Sequence, residues 1–429
     1  MTATEGNLKR ELRLRDVASI GINGIVGTGI FFLPGRAAEM LGPAALLTFL
    51  IAAVLSLLLV SCFAEVGSRF RGTGGPMRYA EAAFGDLAGF SVGWMGLVAR
   101  ISSWGALANA LVTALASISA TATTYRVGIL CGLFAGLALV NVSGIRWTAV
   151  VTNIFTLAKI LPILFFIVVG VFFIDSDLYR PFAPHGYSAL GQGSLLILFA
   201  FVGFETLGVP AGEMRNPRSS VPKALFGVIG LVVVIYLGIW AVAAGTLPTL
   251  AGSASPVVDS AATFLGPRGT LLIKVGILMS VIGVNAAVSL SASRFLYALG
   301  ARGQVPRFLG SVHATTGAPV PAILCTTALA LAVALSGSFV ELAVLSVVAR
   351  FAQMMPTCLA VLVLRRQRRD DPPGYRLPFG ATVPVLALLL SVWVLSQAEL
   401  RQFLWSAFAL LIGLILYAAS RGMIRRHAD

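Results

Sequence analysis

Three charged residues stand near the centre of apolar runs of the chain: Arg100 in GLVARISSW, Lys159 in FTLAKILPI and Glu205 in FVGFETLGV. A charge at the middle of a bilayer costs about 2.5–3.5 kcal/mol on insertion scales, so each needs a compensating role. Lys159 can tether neighbouring segments, or tether them and also hand on a proton. Glu205 can carry a coupled proton or pair with a base, Arg100 being one candidate. Arg100 and Trp104 are four apart on a helix and share a face. If that face lines a pocket, a cation sits beside the ligand and disfavours lysine, arginine and polyamines. Lys274 and Arg294 lie near the ends of their runs and can snorkel. Arg350 has no partner assignable from sequence. The histidines, His185, His313 and His427, fall in loops or the tail, so no nucleophile–base pair for hydrolysis emerges. The chemistry on offer is ion and ligand handling, without bond making; no cofactor or metal is implied.

Two glycine-rich interruptions supply the other half of a site. One is GINGIVGTGIFFLPG at 21–35; the other is FVGFETLGVPAG at 201–212. Glycine weakens a helix by about 1 kcal/mol relative to alanine. A broken helix in lipid also frees N–H and C=O groups, each costing several kcal/mol unless satisfied. A zwitterion satisfies both kinds, its carboxylate on N–H groups at a half-helix start and its ammonium on freed carbonyls. The competing reading is close helix packing through small residues. Paired breaks in corresponding positions favour the site. A dinucleotide fingerprint is excluded, because no strand leads into these glycines.

These residues must be positioned by membrane helices. The chain of 429 residues is 58% hydrophobic and only 11% charged, against roughly 25% charged in soluble domains. Twelve apolar segments are expected, at about 17–35, 43–66, 86–118, 127–142, 148–174, 191–213, 222–245, 268–299, 320–336, 340–364, 380–398 and 402–420. Their continuous hydrophobicity excludes a β-barrel. No cleavable signal peptide is expected. The net charge of +14 is distributed by side, not as a nucleic-acid surface. Clusters such as Lys9–Arg15, Arg69–Arg78, Arg215–Lys223 and RRQRRDD at 365–371 alternate with sparse loops holding Arg36, Arg126, Arg180, Arg268 and Arg401. That asymmetry puts both termini in the cytoplasm of a multi-pass cell-membrane protein. Glu65 and Glu213 fall at cytoplasmic ends, as gate partners for Arg69, Arg71 or Arg215. Cys62, Cys131, Cys325 and Cys358 lie singly in apolar runs and read as buried, inert thiols.

The stretches GIVGTGIFFLPG, GGPMRYAEAAFG at 74–85, GFETLGVPAGEMRNPRSSVPKAL at 203–225 and ASRFLYALGARGQVP at 292–306 resemble the amino acid–polyamine–organocation transporters. The resemblance implies an all-α membrane protein of about twelve helices, with two inverted five-helix repeats (1–174 and 190–365), broken first and sixth helices, and two extra helices at 380–420. It implies alternating access and transport of amino acids: neutral ones by proton coupling or exchange, with cationic amino acid or polyamine exchange and export as alternatives. A channel or a non-transporting sensor is the distant alternative. By the same resemblance the substrate carboxylate meets N–H groups of Val26, Gly27, Thr28 and Gly29. Its ammonium meets carbonyls of Ile25, Phe199 and Val202, Phe199 closes over it, and Ala99, Arg100, Ser103 and Trp104 form a pocket face. Lys159 occupies the place where related transporters bind sodium, and Gly24 stands where members often carry serine or alanine. The implied partners are an amino acid, protons and membrane lipid, with an oligomer left open.

Overall fold

A computed structural model describes residues 13–70, 74–119, 121–143, 145–208, 211, 214–314, 316–367 and 373–426. Among them the fold is all-helical. Its principal helices are α1 (Leu14–Ile25), α2 (Gly29–Leu41), α3 (Leu46–Gly67), α4 (Pro76–Phe84), α5 (Asp86–Ala116), α6 (Arg126–Val142), α7 (Ile145–Gly170), α8 (Leu190–Phe201), α9 (Pro217–Thr246), α10 (Pro256–Phe264), α11 (Gly266–Ala301), α12 (Val320–Ser336), α13 (Phe339–Gln367), α14 (Thr382–Leu395) and α15 (Leu400–Arg426). Six apolar helical runs among the described residues are long enough to cross a membrane, and shorter apolar helices accompany them.

The first apolar segment is two helices, α1 and α2, joined by a bend at 26–28. The sixth is interrupted within 201–212, as its glycines predict. Among the described residues its α-helix ends at Phe201, followed by an extended Val202, Gly203 at φ +126° and a short 3-10 turn at Phe204–Thr206. Gly203 explains the stop, since only glycine takes that φ without strain. Two short helices were not expected from the apolar runs: α4 and α10, nine residues each, both led by a proline. Proline suits the first helical position because its missing N–H would be unpaired there anyway.

The helices associate as two groups with connectors. α1, α2, α3, α8 and α9 pack together, and α5, α11 and α12 form a second body. α7 leans on α11 and α9, while α13 spans from α5 to α3 and α8. Glycines set the closest approach. A Cβ on Gly276 would come within 2.6 Å of Pro162, and one on Gly283 within 2.5 Å of Phe155, so α11 lies tight on α7. α5 is almost wholly interior, whereas α15 leaves Phe403, Leu404, Phe408, Leu411 and Ile415 outward. Together with outward Leu139, Phe172, Val234 and Leu389, these form an apolar surface suited to lipid, not water. Cys62 and Cys358 are buried as expected; Cys131 is not, because it faces outward on α6.

Candidate functional site

The two interruptions meet at the centre of the bundle. A Cβ on Gly203 would lie 2.5 Å from the Gly24 carbonyl oxygen, so the backbones of α1 and of the α8 break are in direct contact. The Gly203 N–H donates to Glu205 Oε2 at 2.8 Å, closing a small loop on its own backbone. Glu205 is wholly buried and pairs with Arg350 of α13. Arg350 Nη2 donates to Ser103 Oγ of α5 at 2.9 Å. One carboxylate thus ties the α8 break to α13 and α5. Arg350, unassigned from sequence, is the base that Glu205 takes; Arg100 is not.

Lys159 lies where the sequence placed it. Its ammonium donates to the Asn23 carbonyl at 3.1 Å, to Asn23 Oδ1 at 2.5 Å and to the Val26 carbonyl at 2.8 Å. Those carbonyls end α1, where the helix dipole leaves negative potential and no intrahelical donors remain. Asn23 was not singled out in the sequence; a polar side chain two residues from the break is the signal that could have found it.

Three expected backbone contacts are already engaged. The Val26 N–H donates to the Ile22 carbonyl at 2.8 Å, because the last α1 hydrogen bond runs one residue past the helix. It is therefore not a free donor for a carboxylate. The Ile25 carbonyl lies 3.0 Å from the Tyr236 hydroxyl of α9, which is also 2.9 Å from the Ala200 carbonyl and in contact with the Gly27 N–H. Tyr236 bridges both breaks from behind, a role with no motif to announce it. What remains on the α2 side is Thr28 and Gly29. The Thr28 hydroxyl is buried with no partner and does not cap α2.

The glycines divide between the two readings. A Cβ on Gly29 would come 2.9 Å from Ala200 Cα, and one on Gly27 3.3 Å from Val284. Close packing accounts for Gly29 without any ligand. Gly24 differs, since its Cβ would meet nothing nearer than Thr206 Oγ1 at 3.9 Å.

Phe199 is buried beside the break and meets Phe339 edge-on at 5.9 Å; Phe339 meets Phe32 at 6.0 Å. Beyond Phe339 opens a cleft of about 440 Å³ lined by Asn109, Thr113, Arg126, Ser338 and Glu341. Phe199 and Phe339 thus separate the break from that cleft. Arg126 props its rim, donating to Asn109 Oδ1 at 2.9 Å and to the Ala334 carbonyl at 2.9 Å. At the opposite end Glu65 holds Arg365 at 2.5 and 2.7 Å and accepts the Leu377 N–H at 2.8 Å. Arg69 is a more distant partner at 3.8 Å. Arg365, beyond the bases considered from sequence, is the main one. Arg71 and Glu213 lie outside the described residues.

The α5 residues split around the helix. Ser103 faces the Glu205–Arg350 pair. Ala99 packs against Ala349, and Trp104 is sealed against Phe134 of α6 at 4.7 Å. Trp104 therefore belongs to the packing of α5, not to a shared pocket face with Arg100; the helix turns it toward α6. Arg100 lies over the ring of Phe295, its Cζ 3.8 Å from the centroid.

Chains with known roles resemble this one from end to end. The serine/threonine exchanger SteT of Bacillus subtilis is 29% identical, with all of both chains covered. The branched-chain amino acid permease BcaP of the same organism is 28% identical over 97% of this chain and 94% of its own. A methylthioribose transporter, also of Bacillus subtilis, is 26% identical over 96% and 93%. The amino acid permease family model matches residues 12–419, and the chain belongs to that family.

Proposed function

We propose that the protein is a secondary transporter that moves amino acids across the cytoplasmic membrane by alternating access. The observation that carries the reading is the meeting of the two broken segments, Gly203 against Gly24, beside the unpartnered Thr28 hydroxyl. The substrate carboxylate takes the N–H groups at Thr28 and Gly29, where α2 begins, and its ammonium takes the Phe199 and Val202 carbonyls that end α8. Phe199 covers the bound molecule. Lys159 fills with a fixed cation the α1 carbonyls that a sodium ion would otherwise satisfy, so transport runs without sodium and couples to protons. Arg100, a buried guanidinium of α5 with no acid partner among the described residues, disfavours cationic side chains. The basic loops place both termini in the cytoplasm. Support comes from the similar permeases and exchangers and from the contact between the two breaks, whose carbonyls Lys159 and Tyr236 engage.

The test is uptake of a radiolabelled amino acid panel into proteoliposomes, with and without a pH gradient, preceded by binding to the purified protein. Saturable, stereoselective uptake with counterflow is expected. Non-saturating flux would indicate a channel, and binding without counterflow a sensor.

A further inference from the structure

Arg100 is buried to 1% exposure on α5, and no ion pair among the described residues includes it. Its Nη1 donates to the Gly96 carbonyl at 2.9 Å, and Phe295 covers one face of the guanidinium. Its Nε and Nη2 are buried with no partner. Those two nitrogens form one edge of the guanidinium, the edge that grips a carboxylate with two parallel hydrogen bonds.

Gln353 of α13 lies in the same cluster. It is 1% exposed, and neither its Nε2 nor its Oε1 has a partner. It rests against the helix turn that carries the Gly96 carbonyl: a Cβ on Gly96 would come 2.8 Å from Gln353 Nε2. Glycine at 96 is what gives the amide its room. Leaving a buried donor unmet costs about 1–3 kcal/mol, more for a charged group. Two side chains with four orphaned polar atoms between them are therefore not explained by packing.

The cluster adjoins the proposed transport site. Ser103, one turn along α5 from Arg100, holds the Arg350 that pairs with Glu205, and Glu205 caps the break at Gly203. One helical turn is about 5 Å, within the span of an amino acid side chain. The charge count points the same way. Arg350 and Glu205 neutralise each other, Lys159 is held by α1 carbonyls, and Arg100 adds an unpaired positive charge on α5, the helix that Arg350 reaches through Ser103. A negative group at Arg100 satisfies the orphaned edge and balances that charge.

We propose that Arg100 and Gln353 form the subsite for the substrate's side chain, and that this side chain carries a carboxylate: the protein takes acidic amino acids. The guanidinium edge receives the carboxylate, the Gln353 amide N–H adds a third donor, and Phe295 fixes the guanidinium plane. The inference rests on the transport reading above, with the α-carboxylate and ammonium at the break.

The test uses the full chain in detergent and in proteoliposomes, comparing L-glutamate and L-aspartate with uncharged L-glutamine and L-asparagine, and with leucine and serine, in chloride and in gluconate. The native protein is expected to bind one acidic amino acid at least tenfold tighter than its amide. In Arg100→Gln that ratio falls to about one, Arg100→Lys restores part of it, and Gln353→Leu lowers it severalfold. Should the Arg100 variants fail to insert, the native ratio and Gln353→Leu decide. Saturable binding of leucine or serine with no preference for the acidic partner overturns the subsite while leaving amino acid transport intact. Affinity for neutral substrates that rises with chloride, without an acidic preference, assigns Arg100 to an inorganic anion and also overturns it. Absence of any amino acid binding overturns the transport reading itself.

Discussion

At the scale of single residues, the two glycines that face each other across the break make opposite demands. Gly203 sits at φ +126° with the Gly24 carbonyl 2.5 Å from where its Cβ would be. Gly203→Ala is expected to cost about 1–3 kcal/mol from the backbone conformation alone and to abolish substrate binding in a protein that still inserts. Gly24→Ala meets nothing nearer than 3.9 Å and is expected to retain binding. Thermal shift and ligand titration on the pair check both; normal binding by Gly203→Ala would mean the break is not held in this geometry when substrate binds. Phe199 tests the pocket from the other side. Its ring is buried between the break and Phe339, so Phe199→Ala is expected to weaken substrate binding by about 1–3 kcal/mol through lost burial of the substrate's apolar carbons. Isothermal titration reads this directly, and unchanged affinity across the panel removes Phe199 from the site. A bulky replacement of Gly29 is a poorer probe, because it strikes Ala200 before it reaches any ligand.

At the scale of elements, legibility followed hydrophobic continuity. α12 lies where its apolar run predicts, and α5, α6 and α13 begin within a residue of theirs, because a span in lipid needs unbroken apolar length. α4 and α10 escaped because they are short and amphipathic. The break in the sixth segment is legible in its glycines, Gly203 being the one whose φ requires glycine. The partner choices were not legible. Nothing in one sequence places Arg350 against Glu205 or Arg365 against Glu65; those pairs join residues 145 and 300 positions apart. The latter pair crosses from α3 to the end of α13, on the face opposite the cleft beyond Phe339. Glu65→Ala strips acceptors from Arg365 and from the Leu377 N–H, each such loss costing about 1–3 kcal/mol. It is expected to bias the protein toward opening on that face, read as faster maleimide labelling of buried Cys62 and Cys358. Unchanged labelling would make the pair a static brace.

At the scale of the whole molecule, the question is which event lets one group of helices move against the other. α1 belongs to one group and α7 leans on the second, and Lys159 is the side chain that fastens them. A lysine in the membrane interior is retained only where it offsets more than its insertion penalty. Here the Asn23 and Val26 carbonyls supply that offset, at the place where the resemblance to related transporters puts sodium. In the proposed coupling, loss of the Lys159 proton would remove the charge that those carbonyls hold, release α1 from α7 and let the break open. Arg350–Glu205 cannot serve as readily, because separating it leaves two buried charges unpaired, at a cost of several kcal/mol. Replacing sodium with potassium or choline is therefore expected to leave uptake unchanged, and an inward proton gradient to accelerate it. Lys159→Ala should insert and still bind substrate, yet lose gradient-driven uptake. Strict sodium dependence of the native protein would remove the premise. Native pH dependence in Lys159→Ala would leave the lysine a tether and make Glu205 the next carrier to test, by Glu205→Gln in the same proteoliposomes.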